Sequence, residues 1–113
     1  MDKVTRYRQI IQQILRKYVE IDNRNPNPNV EYYMIADEAA DNYLWMNLGW
    51  ENGKRINAPT VHIRICDGKI LIEEDWTEDG ITDELLEAGI PAEDIVLAFQ
   101  PPSLRKYADP IAA

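Results

Sequence analysis

Two turn dipeptides, Asn52-Gly53 and Asp67-Gly68, constrain this chain more than any other feature. A two-residue type I′ turn needs positive φ at both central positions. Asn, Asp and Gly tolerate that, so each dipeptide predicts a tight antiparallel hairpin. The flanking residues read as strands. From Tyr43 to Trp50, Leu44, Met46, Leu48 and Trp50 alternate with Tyr43, Trp45 and Asn47, as a pleated strand requires. Lys54 to Asn57 predicts the return strand and Pro59 a break after it. Thr60 to Cys66 then sets Val61, Ile63 and Ile65 on one face, and Lys69 to Glu74 pairs back through Ile70 and Ile72. Val30 to Ala36, aromatic and β-branched, predicts one more strand ahead of these. An antiparallel meander is the simplest arrangement for adjacent hairpins.

Helical spacing brackets the strands. Tyr7, Ile10, Ile11, Ile14, Leu15 and Tyr18 fall three and four apart, which predicts an amphipathic helix ended by the turn-rich stretch Asp22 to Asn29. Ile81 to Ala88 predicts a second helix, closed by Gly89 in the left-handed conformation. Ile95 to Phe99 is uninterrupted apolar sequence and predicts a strand covered on both faces. Ser103 is placed to cap one turn running through Tyr107. The expected fold class is therefore α+β within a single domain over 1–113. It has an N-terminal amphipathic helix, a mainly antiparallel sheet of about five strands, a second helix and a short C-terminal strand.

Charge narrows the function classes. The net charge is −8 and the chain has a single His, which argues against wrapping nucleic acid or coating an anionic membrane. The charge is also uneven. The first helix carries Lys3, Arg6, Arg8, Arg16 and Lys17, whereas residues 73–94 hold ten acids and no base. A single Cys forms no internal disulfide and suits a reducing, cytoplasmic setting. No apolar run is long enough to span a bilayer, and Met1 to Arg6 lacks the apolar core of a signal peptide.

Reactive constellations are hard to assemble from these residues. His62 and Cys66 share a strand face but stand roughly 13 Å apart, too far to hold one ion. Ser103 has no nucleophile-elbow context, and Gly49, Gly53, Gly68, Gly80 and Gly89 read as isolated turn or cap glycines rather than a phosphate loop. Glu73, Asp75 and Glu78 at a strand end are the best carboxylate trio for magnesium, yet twenty acids make such proximity common by chance. The expectation is a non-enzymatic protein with no metal, no cofactor and no catalytic residue. Binding fits better. Trp45, Trp50, Trp76, Tyr32, Tyr33 and Tyr43 put large amphipathic rings on a sheet that two helices cover incompletely. Trp50, Arg55, Trp76, Glu78, Glu84, Glu87, Arg105, Lys106 and Tyr107 are the candidate partner interface. The apolar stripe of the first helix and the aromatic sheet also allow a homodimer.

The ordered motifs then carry a resemblance. Tyr7-Arg8-Gln9-Ile10-Ile11, Asn47-Leu48-Gly49-Trp50-Glu51, Lys54-Arg55-Ile56 and His62-Ile63 are followed by Asp67-Gly68-Lys69-Ile70 and Asp75-Trp76-Thr77-Glu78. Gly80-Ile81, Ala88-Gly89-Ile90-Pro91, Asp94-Ile95-Val96-Leu97-Ala98-Phe99, Pro101-Pro102 and Arg105-Lys106-Tyr107 complete the series. In order and spacing, over nearly the whole chain, they resemble the XisI family, the fdxN element excision controlling factors of cyanobacteria. The departures are the Asn/Pro-rich loop at 23–29 and the tail 108–113. The resemblance implies a control factor in programmed DNA rearrangement, acting with a site-specific recombinase and a companion XisH protein that resembles restriction-endonuclease-like nucleases. It supplies no catalytic residues. The acidic 73–94 stretch suits a basic, DNA-binding surface on such a partner. The alternative is a direct DNA-binding accessory protein that sets Arg6, Arg8, Arg16 and Lys17 of the first helix against phosphates.

Overall fold

A computed structural model of the chain describes residues 2–24 and 28–104. Helix α1, Lys3–Arg24, lies across a five-stranded sheet with strand order β1-β2-β3-β4-β5. The strands are β1 (Val30–Asp37), β2 (Asn42–Glu51), β3 (Lys54–Cys66), β4 (Lys69–Asp75) and β5 (Ile95–Leu97). The first four form the expected antiparallel meander, and β5 returns parallel to β4. Helix α2, Thr82–Glu87, and a 3₁₀ turn at Ala92–Asp94 make that crossover. No described helix is long and apolar enough to cross a membrane.

Both hairpin turns form as the dipeptides predict, with Asn52, Gly53, Asp67 and Gly68 all at positive φ. Gly49, by contrast, is no turn glycine. It lies inside β2, where a Cβ would stand 2.0 Å from the Asn29 carbonyl oxygen. That oxygen is held close because it accepts the Trp50 amide.

Three other expectations need correction. Helix α1 runs on to Arg24, although Asp22-Asn23-Arg24 reads as turn formers. Val19 is buried, the Asp22 carboxylate accepts from the Trp45 indole, and the Asn23 amide donates to the Tyr32 carbonyl, so tertiary contacts hold the last turn helical. Pro59 does not divide a strand. β3 is continuous over thirteen residues, and a bulge opposite Trp45 and Met46 takes up the irregularity around Pro59. The apolar run at 95–99 is not covered on both faces: β5 is a three-residue edge strand and Phe99 is exposed. A 3₁₀ turn spans Pro102–Leu104 with Ser103 inside it rather than at its cap, and Arg105, Lys106 and Tyr107 lie outside the described residues.

The core forms on one face of the sheet. Tyr7, Ile11, Ile14, Leu15 and Val19 of α1 meet Tyr43 and Trp45 of β2, Val61, Ile63 and Ile65 of β3, and Ile70 and Ile72 of β4. Ile81, Leu85, Ile90 and Ile95 close the same cluster, so both helices sit on that face. α2 ends in a Schellman cap: the Gly89 amide donates to the Leu86 carbonyl and the Ile90 amide to that of Leu85, while Leu85 and Ile90 are buried.

The basic helix meets acids within its own chain. Arg8 pairs with Asp41 in the β1–β2 turn at 2.7 Å, Lys17 with Glu84 of α2 at 3.0 Å and Lys3 with Asp94 at 3.0 Å. Arg6 donates to the Ala88 carbonyl at the C-terminal end of α2. Tyr7 hydrogen-bonds Asp94 and Tyr18 hydrogen-bonds Glu84. Each bond lowers the carboxyl pKa of its acid and helps raise the tyrosine, in both cases to about 12.

Candidate partner interface

Among the described residues, no helix lies over the second face of the sheet. Strand alternation puts Leu44, Met46, Leu48 and Trp50 there, opposite the core-facing Tyr43 and Trp45. Antiparallel register adds Tyr33 across from Met46 and Ile35 across from Leu44. None of these six joins the core cluster; Met46 is buried, Tyr33, Leu44 and Leu48 are half-buried, and Ile35 and Trp50 are exposed, Trp50 by 56%. Trp50 and Arg55 face each other across the β2–β3 hairpin, with the guanidinium 5.4 Å from the indole centroid. A guanidinium on an indole leaves a rigid amphipathic patch that costs little side-chain entropy to present. Toward β4 the face turns polar: His62 hydrogen-bonds Asn42 at 2.8 Å and Arg64 pairs with Glu73 at 3.2 Å.

A second feature lies at the border of the core. Tyr18, Asp22, Trp45, Thr60, Trp76, Thr77, Glu78, Asp79, Gly80 and Ile81 line a cavity of about 360 Å³. The Tyr18 and Trp45 rings stack 5.5 Å apart, and the Trp45 indole N–H donates to Asp22 at 3.0 Å. Burial pushes the Asp22 carboxyl pKa up, and the Trp45 bond offsets only part of that. The 76–81 loop builds the opposite wall, and Asp75 holds that loop in place. One Asp75 oxygen accepts the Thr77 amide and hydroxyl, and the other accepts the Ile81 amide at 2.7 Å, which fixes the loop into α2. The Trp76 amide donates to Thr60 of β3, and the Trp76 side chain is 77% exposed.

The expected interface residues thus divide. Trp50 and Arg55 stand together at one end of the open face, Trp76 and Glu78 border the cavity, and Glu87 is exposed on α2. Glu84 is taken up by Lys17 and Tyr18. The carboxylate trio does not converge: Glu73 pairs with Arg64, Asp75 binds its own loop and Glu78 lies at the cavity rim. Among the described residues, no group of three His, Cys, Asp or Glu side chains could hold a metal ion. The apolar stripe of α1 is spent on the core. Of the phosphate-contact candidates, Arg6, Arg8 and Lys17 bind their own chain while Arg16 is exposed. Composition signals neither the stacked Tyr18–Trp45 pair nor Ile35 and Tyr33 on the open face, because helix docking and strand register decide both.

Comparison with known proteins gives a consistent result. The family described as XisI protein matches residues 1–110. Among solved structures, a XisI-like protein from Anabaena variabilis superposes with a TM-score of 0.84 at 34% identity, covering 90% of this chain and 92% of that one. The fdxN element excision controlling factor XisI from Anabaena variabilis superposes with a TM-score of 0.79 at 46% identity, covering 90% of this chain and 97% of the other. No curated protein matches.

Proposed function

The chain belongs to the XisI family, and we propose that it acts as a non-enzymatic control factor in programmed DNA element excision by binding a XisH-like nuclease-fold or recombinase partner. The observation that carries this reading is the sheet face turned away from both described helices, where Trp50 lies under Arg55 at one end and Ile35 is exposed toward the other. A sheet face that leaves Trp50 and Ile35 exposed, with Tyr33, Leu44 and Leu48 half-buried between them, has a surface fit for a protein partner. Exposed acids at Glu31 and Glu51 near that face, and at Glu78, Asp79 and Glu87 elsewhere, complement a basic DNA-binding surface. The lone, exposed Cys66 suits a cytoplasmic setting. Docking through the open face accounts for control without bond-making chemistry: the chain changes what its partner does by occupying a surface on it.

Co-expression with a XisH-like protein tests the reading. A complex that co-purifies at moderate salt and weakens as salt rises supports it. Chains that stay separate at low salt, or DNA that shifts with this chain alone, overturn it.

A further inference from the structure

We propose that the cavity between the C-terminal half of α1, β2 and the 76–81 loop is a guanidinium site that takes one arginine side chain of the partner protein. The walls are aromatic. Trp45 and Tyr18 are stacked and fixed, and Trp76 stands as an exposed indole at the rim. A planar guanidinium lies flat on such a ring and gains from the negative π-face. The charged groups are all carboxylates. Asp22 stands behind the indole of Trp45, and Glu78 and Asp79 stand on the loop. No lysine or arginine is among the residues lining the cavity. Lys17, the nearest cation to these rings, sits 4.8 Å from the Tyr18 centroid but is committed to Glu84. Asp22 is therefore a half-buried carboxylate that accepts a neutral N–H from Trp45. An incoming guanidinium supplies the missing positive charge and can bridge it to the indoles. About 360 Å³ is room for one such side chain and too little for a folded segment. The loop that makes the outer wall is already tied down by Asp75, so binding orders little else.

The source of the side chain rests on the docking reading above; the chemistry of the cavity does not. The test follows the Trp45 indole N–H resonance while N-acetyl-L-arginine methylamide is added, with its neutral isostere N-acetyl-L-citrulline methylamide as the comparator. Salt is matched throughout. The expected result is a saturable shift with arginine at millimolar concentration, and citrulline at least tenfold weaker. Trp76→Ala, at a side chain too exposed to support the fold, weakens arginine binding severalfold. Asp22→Asn does the same while keeping an acceptor for Trp45. Equal responses to the two amides, no saturation, or an arginine response unchanged in both variants overturns the site. Binding of the amide by a chain that captures no XisH-like protein overturns docking and leaves the cavity standing. Partner capture unaltered by both variants overturns the arginine of the partner as the occupant.

Discussion

The Tyr18 hydroxyl on α1 hydrogen-bonds the Glu84 carboxylate on α2, and the neighbouring Lys17 ammonium reaches the same carboxylate at 3.0 Å. A residue in the densest acidic stretch of the chain is thus an internal brace between its two helices. Glu84→Ala is expected to cost about 1–2 kcal/mol, the scale of hydrogen bonds to a charged group that is partly screened by solvent. Exposed Glu87→Ala is expected to stay within about 0.5 kcal/mol. Urea denaturation of both variants checks the difference.

Acid is expected to loosen α1 from the sheet. Glu84 and Asp94 have folded-state carboxyl pKa values below their ordinary values through Tyr18 and Tyr7, and Asp41 through Arg8. Each contributes stability that is present above the unfolded carboxyl pKa of about 4 and is lost as pH falls through the lower folded value. Unfolding midpoints in urea should be flat near neutrality and drop below about pH 4.

Alkali is expected to act with the opposite sign. Burial raises Tyr7 and Tyr43 to about 12, aided by Asp94 and Asp41, and the Glu84 bond raises Tyr18 to about 12. Their stabilisation is complete below the unfolded value near 10 and disappears as pH rises through 12. The ring resonances of these three tyrosines should therefore report ionisation together with loss of helical circular dichroism, not ahead of it.

Gly49→Ala forces a methyl against the Asn29 carbonyl and the Val30 Cα, both backbone atoms that cannot swing aside. A cost of about 1–3 kcal/mol is expected. Ala at Gly53, where nothing stands within 4 Å, meets only the positive-φ penalty of roughly 1 kcal/mol. Paired thermal melts separate packing from backbone strain.

What the sequence made legible follows from how local each signal is. Asn52-Gly53 and Asp67-Gly68 announce their turns because positive φ is a property of the dipeptide itself. The stripe from Tyr7 to Tyr18 announces a helix because its period is local too. The end of α1 was illegible: Asp22 and Asn23 favour turns by themselves, and only Trp45 and the Tyr32 carbonyl, supplied by the sheet, keep them helical. Pro59 misleads for the same reason, since a bulge set by pairing with β2 absorbs it. Trp50 and Arg55 could be paired from the hairpin that joins them. The cavity could not, because Asp22, Trp45 and Trp76 meet only once α1 has docked and Asp75 has folded its loop.

The central claim is that the uncovered face around Trp50 is the docking surface, and calorimetric titration of a XisH-like protein with Trp50→Ala tests it most directly. The account predicts an unchanged melting temperature, because Trp50 is outside the core, together with at least tenfold weaker binding. Wild-type affinity in a folded Trp50→Ala chain would contradict it.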